Sequence, residues 1–214
     1  MASQGGIISP LLANIYLNLV DKAVSRKDGV FFKYGITIVR YTDDFVLIGR
    51  KIPAHCLSYL HGMLDKMELT INAEKSQLVD AQTEPFDFLG FTFRYDWDIS
   101  GRNQKYLNII PRKESEKNVR RRIKEYLGYS GHKNPQALSK GLNQIMRGWL
   151  NYITTPQVSY PKKAKRNLRW YLVQKSYRYY QRKSQCKCKL YRHNAFEVLE
   201  RKYGLINPVK YNYV

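Results

Sequence analysis

Long apolar segments are absent from this 214-residue sequence, and so is any pattern that would direct it to a membrane. No apolar run approaches the ~18 residues that a membrane-spanning helix requires. The first residues also lack the basic-then-apolar pattern of a signal peptide. We therefore expect a cytoplasmic protein that does not act at a membrane.

Cysteine is scarce as well, with Cys56, Cys186 and Cys188 making an odd number without the spacing of a disulfide framework. Cys186-x-Cys188 and His193 supply three candidate zinc ligands, whereas a structural zinc site ordinarily takes four. These residues disfavour a zinc site and fit a reduced, intracellular protein best.

Acidic residues are few, 17 against 37 lysines and arginines, which gives a net charge of +20. Residues 1–111 hold 12 basic and 12 acidic residues, whereas residues 112–192 hold 22 basic and 3 acidic ones. Because one segment carries almost the whole excess, we predict a domain boundary near Pro111, with domains 1–111 and 112–214. The second domain is expected to bind a polyanion.

Apolar residues make up 43% of the chain, enough for a core and for two modest domains. In the first domain the pattern predicts an α+β fold, an antiparallel sheet with two helices packed on one side. Ser9 as N-cap followed by Pro10 predicts the start of one helix, and Pro53 the start of the other. Strands or hairpins are predicted at Leu69–Ile71, Phe86–Phe93 and Tyr106–Ile110. An apolar face is predicted on the first helix: Leu11, Leu12, Ile15, Tyr16 and Leu19.

Beyond Pro111 the apolar spacing becomes helical and predicts three basic helices, the last from about Pro161 to Lys183. The first buries Val119, Ile123 and Leu127. The second carries the apolar stripe Leu138, Leu142, Ile145, Trp149 and Ile153, with Asn143 and Asn151 among the residues that face away from it.

Solvated charge is the ordinary explanation of a basic helix face. Here the size of the excess and the interleaved aromatic residues favour nucleic-acid binding instead. The candidate RNA-binding residues are Arg121, Lys124, Lys140, Arg147, Arg166 and Arg169.

Two carboxylates stand between the apolar, β-branched runs 36–41 and 45–48, a pattern that predicts a β-hairpin with Asp43 and Asp44 at its turn. A solvated turn is the simplest interpretation, since aspartate is common in turns. Two features of the sequence argue against this interpretation. Neither turn residue is glycine, and the flanking runs are nearly unbroken, which predicts a buried hairpin with two carboxylates at its tip. Such carboxylates suit Mg²⁺, which binds oxygen ligands and keeps several waters.

Five motifs in order resemble those of group II intron-type reverse transcriptases, also called intron maturases. The stretch 4–17 resembles the template- and nucleotide-contacting loop and helix of the palm, and 40–44 resembles the catalytic YxDD turn. The stretch 69–76 resembles a nucleotide-proximal motif, 88–91 the primer grip, and 142–152 the signature helix of the thumb, or maturase domain X. The matching residues read Gln4-Gly-Gly-Ile-Ile-Ser-Pro-Leu-Leu-Ala-Asn-Ile-Tyr-Leu17, Arg40-Tyr-Thr-Asp-Asp44, Leu69-Thr-Ile-Asn-Ala-Glu-Lys-Ser76, Phe88-Leu-Gly-Phe91 and Leu142-Asn-Gln-Ile-Met-Arg-Gly-Trp-Leu-Asn-Tyr152. Thr42 stands where this family usually has alanine.

The resemblance implies a partial right-hand polymerase palm followed by an all-helical, basic thumb or maturase domain. It also implies an RNA-directed DNA polymerase that uses Mg²⁺, an RNA template or intron RNA, and a DNA primer. The implied roles, by residue, are metal binding and catalysis by Asp43 and Asp44, catalysis by Lys75, template or nucleotide contact by Gln4, Gly5, Gly6 and Tyr41, and primer contact by Phe88, Leu89 and Gly90. An exposed loop lysine is an equally good interpretation of Lys75.

The family also has fingers and a first palm strand, with its own metal-binding aspartate, ahead of the Gln4-Gly-Gly motif, and here only three residues precede it. Two-metal phosphoryl transfer needs carboxylates from at least two places. Asp21 and Asp28, at or beyond the end of the first helix, are expected to be poor substitutes. The sequence is therefore interpreted as the C-terminal part of such an enzyme: an engineered piece, the product of a truncated gene, or one part of a split enzyme whose partner carries the fingers. A non-catalytic RNA-binding maturase fragment and a degenerate fragment without function are the alternatives.

Overall fold

A computed structural model describes residues 8–98, 102–182, 190 and 194–212 of the chain. The backbone forms two compact units, Met1–Leu78 and Val79–Val214. Both units combine helices with a small antiparallel sheet, which confirms the predicted α+β class. Within the described ranges, no helix is both long enough and apolar enough to cross a membrane.

The first unit is built around one β-hairpin. Its strands β1 (Thr37–Tyr41) and β2 (Asp44–Ile48) pair in antiparallel register, with Thr37 opposite Ile48 and Tyr41 opposite Asp44. Three helices accompany it: α1 (Ser9–Ser25), α2 (Val30–Lys33) and α3 (Ala54–Lys66).

A small apolar core holds this unit together. Residues from all three helices and from the residue before β1 are buried in it, and Ile38, Phe45 and Leu47 of the hairpin pack against them. The buried members are Val20, Val24, Phe31, Ile36, Cys56, Leu60 and Leu64. Because burial alternates along β1, only one face of the strand belongs to this core.

The prediction of a buried hairpin is therefore only partly right for the described residues, because one face of the hairpin is packed and the other is exposed. Val39 is 45% exposed and Ile48 is 54% exposed. The core of this unit packs against one face of the two-stranded sheet and leaves the other face uncovered by it.

The predicted apolar face of α1 exists, but it does not form the core contact of the helix. The buried residues of α1 are Val20 and Val24, on a different part of the helix surface. The five residues of the predicted face are all at least 46% exposed: Leu11, Leu12, Ile15, Tyr16 and Leu19.

Two local predictions in this unit also need correction. Helix α1 begins at Ser9 rather than after it, because the carbonyl of Ile8 accepts the first helical hydrogen bonds from Leu11 and Leu12. Leu69–Ile71 is not a strand. The Leu69 amide donates to the carbonyl of Leu64 at the end of α3, which holds this segment in a tight reversal instead.

The second unit begins with a three-stranded antiparallel sheet, in the order β3-β4-β5. Its strands are β3 (Phe86–Phe88), β4 (Phe91–Trp97) and β5 (Lys105–Pro111). The hairpin and its returning partner strand are thus confirmed. Four helices follow: α4 (Lys113–Tyr129), α5 (Pro135–Ile153), α6 (Pro161–Arg182) and α7 (Ala195–Tyr203).

The helices enclose the main core of the chain, and the predicted faces of α4 and α5 line it. Val119, Ile123 and Leu127 of α4 are buried. On α5 the buried stripe also includes Met146 and Leu150, whereas Ile145 and Trp149 lie at its partly buried edge. Helix α4 continues past Gly128 to Tyr129.

The division of charge near Pro111 does not coincide with the division into compact units, which falls between Leu78 and Val79. The sheet belongs with the helices because β5 contacts the segment before α6. The amide of Ile109 donates to Ser159 Oγ at 3.1 Å, and the Ser159 amide donates to the carbonyl of Ile109 at 2.7 Å. A functional boundary at Pro111 stays a prediction.

Two asparagines of α5 are not directed to solvent as predicted. Asn143 Nδ2 donates to the carbonyl of Gly204 at 2.8 Å, and its Oδ1 accepts from the Ile206 amide at 2.8 Å. The Tyr211 hydroxyl donates to Asn151 Oδ1. Both side chains therefore fix the segment that follows α7, a contact between residues about 60 positions apart that periodicity cannot reveal.

Candidate functional site

The loop Thr42–Asp43 closes the hairpin in two residues, directly before Asp44 opens β2. Thr42 has a φ of +53°, which is rare for a β-branched residue. A positive φ at the first of two loop residues is the sign expected of a type II′ turn, which normally has glycine there. The carboxylates of Asp43 and Asp44 are thus presented at an exposed tip whose backbone is strained.

Hydrogen bonds of Thr42 hold this tip. Its Oγ1 lies 2.7 Å from the carbonyl oxygen of Tyr41 and 2.9 Å from Asp43 Oδ1. The hydrogen bond from Thr42 lowers the pKa of Asp43 below its ordinary value, with help from the backbone and from the positive charge of Lys75. Asp43 is consequently an ionised, exposed carboxylate at neutral pH.

Lys75 lies on the loop after α3, and Asn72 shapes that loop. Asn72 Oδ1 accepts from the amides of Glu74 and Lys75 at 3.0 and 3.3 Å, a short-range Asx-type turn. The positive charge of Lys75 also lowers the pKa of Asp43, as the weakest of the influences on that carboxyl. Lys75 is exposed, as an ordinary loop lysine would be.

Arg40 braces the hairpin, a role that the sequence analysis did not assign. Its Nε and Nη2 donate to the carboxylate of Asp21 on α1 at 3.0 and 2.7 Å. Its Nη1 donates to Asn14 Oδ1 at 2.9 Å and to the carbonyl of Thr42 at 2.7 Å. One guanidinium therefore joins helix α1 to the strained turn. The signal in the sequence is a charged residue two positions after the inward Ile38, and therefore on the same, inward face of β1.

The two aspartates considered as substitute metal ligands are engaged elsewhere. Asp21 lies within α1, one turn before its end, and accepts the bidentate bond from Arg40. Asp28 pairs with Arg26 at 2.6 Å in the loop after α1. The expectation that both would be poor substitutes fits these contacts, although Asp21 does not lie beyond the helix.

The donor set at the tip suits a hard cation carried with a substrate. Mg²⁺ usually keeps several waters and is held by one or two carboxylates together with substrate phosphates. Exposed Asp43 and Asp44 offer two such carboxylates without burying them. In the part of the chain that the structure describes, no group of three or more His, Cys, Asp or Glu side chains forms a ready-made metal cage.

Tyr41 flanks the tip, opposite Asp44 in the register, and its side chain is 62% exposed. Its ring is therefore accessible to a ligand, as a nucleotide or template contact would require. Gln4, Gly5 and Gly6, the other predicted template or nucleotide contacts, lie outside the described residues, as do Cys186, Cys188 and His193.

A second two-residue turn, Leu89–Gly90, joins β3 to β4 and carries the predicted primer contacts. Both residues have positive φ, +47° and +73°, the signs of a type I′ hairpin turn. Gly90 is required here for a further reason: an added Cβ would lie 3.3 Å from the hydroxyl oxygen of Tyr152. Phe88 pairs with Phe91, whose ring stacks on Tyr152 at 4.5 Å, so α5 supports the turn.

A cleft of about 330 Å³ opens beside this turn, between Gly90 and the first half of α4. Arg112, Arg122 and Trp149 are among the side chains that line it, and Glu114 is the acidic residue in its wall. Trp149 is fixed by a hydrogen bond from Nε1 to Ser115 Oγ at 2.9 Å. The cleft can therefore take an anionic, partly apolar ligand against an ordered wall.

The predicted RNA-binding residues differ in their surroundings. Lys124, Lys140, Arg147 and Arg166 are exposed, as is Arg121, which pairs with Glu125 at 3.0 Å. Arg169 is half-buried, with its guanidinium carbon 5.6 Å from the centre of the buried Phe196 ring on α7. Packing of Arg169 on α7 follows from tertiary structure, which its helical position does not reveal.

Comparison with known protein families relates part of the chain to one of them. The family model described as reverse transcriptase (RNA-dependent DNA polymerase) matches residues 1–93 of the 214. The matched segment includes the hairpin with Asp43 and Asp44, the loop with Lys75, and the Leu89–Gly90 turn. No curated protein matches the chain.

Proposed function

We propose that this chain forms palm and thumb regions of an RNA-directed DNA polymerase of the group II intron type. The observation that carries the proposal is the strained turn with two exposed, adjacent carboxylates, within the segment that matches a reverse transcriptase model. The reaction is the template-directed addition of deoxynucleotides to the 3′-OH of a primer.

Asp43 and Asp44 are the residues that would hold Mg²⁺, which when bound would neutralise charge on the nucleoside triphosphate and orient the attack. Thr42 lowers the pKa of Asp43 through its hydrogen bond, and Arg40 keeps the turn in place. Lys75 serves the leaving pyrophosphate as a charge partner or proton donor.

The Leu89–Gly90 turn contacts the primer strand, and the neighbouring cleft receives part of its sugar-phosphate backbone between Arg112 and Arg122. The basic helices after Pro111 act as a thumb that holds template and primer. In agreement with this role, 22 lysines and arginines stand against 3 acids in residues 112–192. We further propose that a segment carrying another metal-binding carboxylate completes the polymerase centre, as the resemblance implies.

Primer extension on an RNA template with Mg²⁺ tests the polymerase proposal. We expect extension when the chain is combined with a purified fingers and first-palm-strand segment, and none with either part alone. Asp43→Asn should abolish the activity, whereas Asp65→Asn, a change of another exposed acid on α3, should leave it unchanged. Extension that survives Asp43→Asn would contradict the proposed metal site.

Nucleic-acid binding by the thumb has its own test, because it depends on charge rather than on the aspartates. The affinity of the whole chain for RNA should fall steeply with salt as phosphate neutralisation releases counterions. Lys140→Gln or Arg147→Gln should each flatten the slope of log K against log salt by about one, while Lys66→Gln on α3 should not. An affinity that ignores salt would contradict the thumb assignment.

The alternative is a non-catalytic, RNA-binding maturase fragment that assists intron folding. It is favoured by the same charge distribution, and it makes no use of Asp43 or Asp44. Salt-dependent RNA binding together with complete failure of the combined segments to extend any primer would support this alternative.

A further inference from the structure

Helix α6 carries a mostly exposed stripe, and the polymerase proposal makes no use of the two aromatic rings on it, although it counts Arg166 of the same stripe among the RNA-binding residues of the thumb. Positions separated by seven or by three to four residues share a helix face, and this rule groups six residues, Trp170 and five others within about 40° of it. They are Lys163, Arg166, Trp170, Gln174, Tyr177 and Gln181. The buried residues of α6, including Leu168 and Leu172, lie on the other side of the helix.

Two aromatic rings stand out on this stripe. Trp170 is 67% exposed and Tyr177 is 48% exposed, although a helix inside a packed bundle normally buries such rings. Seven residues separate them, which is roughly 10 Å along the helix axis. This distance corresponds to about three nucleotides at the 3.4 Å rise of a stacked strand.

Cations lie beyond the stripe on the side of α6 that faces α4, and Arg178 is the nearest of them to the stripe. Asn167 of α6 contacts Glu116 of α4, and the Tyr171 hydroxyl donates to the carbonyl of Arg120 at 3.0 Å. The two helices therefore run side by side in the same direction, and the same spacing places Lys124 level with Lys175, one turn further along. Burial together with the nearby charges of Arg178, Lys124 and Arg182 lowers the pKa of Lys175.

Residues 161–182 contain eight lysines and arginines and no acid. Three of the five carboxylates on helices α4 and α7 are held by other partners: Glu116 by Arg120 at 2.8 Å, Glu125 by Arg121 at 3.0 Å, and Glu200 by Lys210 at 2.7 Å. The cluster formed by Lys124, Lys175, Arg178 and Arg182 is thus an assembly of like charges, and an external anion would relieve its repulsion.

From this arrangement we infer that the α6 stripe binds single-stranded nucleic acid, with bases stacked on Trp170 and Tyr177 and phosphates on the bordering cations. A duplex keeps its bases paired inside and offers mainly phosphates and groove edges, so it would leave the two exposed rings unused. A lipid surface would require a broad apolar helix face, whereas two glutamines and two cations lie among these rings.

This inference rests on the proposed nucleic-acid function and narrows its ligand to an unpaired segment of RNA or DNA. Its test uses the full chain and an oligouridylate of about 20 nucleotides, longer than the roughly 4–16 nucleotides that single-strand modules cover. The same oligonucleotide paired with its complement serves as the duplex probe. Binding is measured by fluorescence anisotropy at several salt concentrations.

Trp170→Leu and Tyr177→Leu should each weaken binding of the single strand by about 5- to 150-fold and leave duplex binding within twofold. Trp170→Phe should restore single-strand binding to within a few-fold of wild type. It should also remove most of the tryptophan quenching that the oligonucleotide causes, since Trp170 is more exposed than Trp97, at 67% against 52%, and Trp149 is partly buried. Tyr129→Leu is the matched control, because Tyr129 is 84% exposed on α4 but lies off the stripe.

Equal losses for single strand and duplex, or no loss in the leucine variants, would overturn the stacking inference while salt-dependent binding kept the thumb proposal intact. Binding of anionic vesicles that falls in parallel in the same variants would also overturn it. Failure to bind either nucleic-acid probe would contradict both proposals.

Discussion

The guanidinium of Arg40 holds the carboxylate of Asp21 through two parallel hydrogen bonds, and so ties the hairpin that carries Asp43 and Asp44 to helix α1. The pair is largely shielded, with side-chain exposures of 12% for Arg40 and 30% for Asp21. Its hydrogen bond raises the pKa of Arg40, which therefore stays charged at every accessible pH. The geometry of Asp43 and Asp44 thus depends on a residue that is neither a metal ligand nor a nucleotide contact.

Arg40→Ala should lower the free energy of unfolding by about 1–3 kcal/mol, because it removes charge-assisted hydrogen bonds and leaves Asp21 without its partner. Arg26→Ala is the control, since Arg26 pairs with Asp28 in an exposed loop where both side chains are 69% exposed. Chemical denaturation should find that control close to wild type. Similar losses in the two variants would argue against a bracing role for Arg40.

Asp43 should titrate below the value of about 3.9 that is usual for aspartate. Removing the donor with Thr42→Val should raise the pKa of Asp43, and Lys75→Ala should raise it by less, because the hydrogen bond is the larger cause. Carboxyl carbon shifts followed by NMR against pH measure both effects.

The sign of the accompanying stability change follows from the same shift. A carboxyl whose pKa is lower in the folded state stabilises the fold at pH values above its unfolded pKa. That contribution is lost as the pH falls through the folded pKa. An unchanged pKa of Asp43 in Thr42→Val would show that the Thr42 hydroxyl does not lower the pKa of this carboxyl.

Asn143 should be a stability residue rather than a nucleic-acid contact, since both ends of its amide bind backbone groups of Gly204 and Ile206. Asn143→Ala leaves a backbone donor and acceptor unpaired and should cost about 1–3 kcal/mol of unfolding free energy. Lys140→Ala, an exposed change one turn earlier on α5, should cost less than about 0.5 kcal/mol. Equal melting temperatures for the two variants would contradict a stabilising role for the hydrogen bonds from Asn143 to Gly204 and Ile206.

Sequence reasoning succeeded where structure is local. The hairpins around Asp43 and Leu89 and the buried faces of α4 and α5 follow from spacing within a dozen residues. It failed where a partner lies far along the chain. The local pattern around Asn143 does not indicate that its side chain contacts Gly204, 61 residues away.

The first helix is the clearest case of the same limit. Periodicity correctly finds an apolar face on α1, but the face that packs in this unit is the one with Val20 and Val24. When a helix has two apolar faces, its sequence does not indicate which face will be buried. Which face of α1 is buried depends on where α3 and the hairpin pack against it.

The Leu89–Gly90 turn offers a way to separate stability from function. Leu89 has a φ of +47°, where a side chain with a Cβ costs roughly 1–2 kcal/mol, and type I′ turns favour Asn-Gly at these two positions. Leu89 is also 37% exposed, so its replacement loses little buried surface. Leu89→Asn should therefore raise the free energy of unfolding by about 1 kcal/mol, measured by chemical denaturation.

If Leu89 contacts the primer as proposed, the same variant should bind a primer–template duplex more weakly despite its greater stability. Gly90→Ala is the opposing control: at a φ of +73° and with Tyr152 Oη 3.3 Å from the new Cβ, it should destabilise the fold. A Leu89→Asn variant that is both less stable and unaltered in duplex binding would contradict the strained turn and the primer contact together.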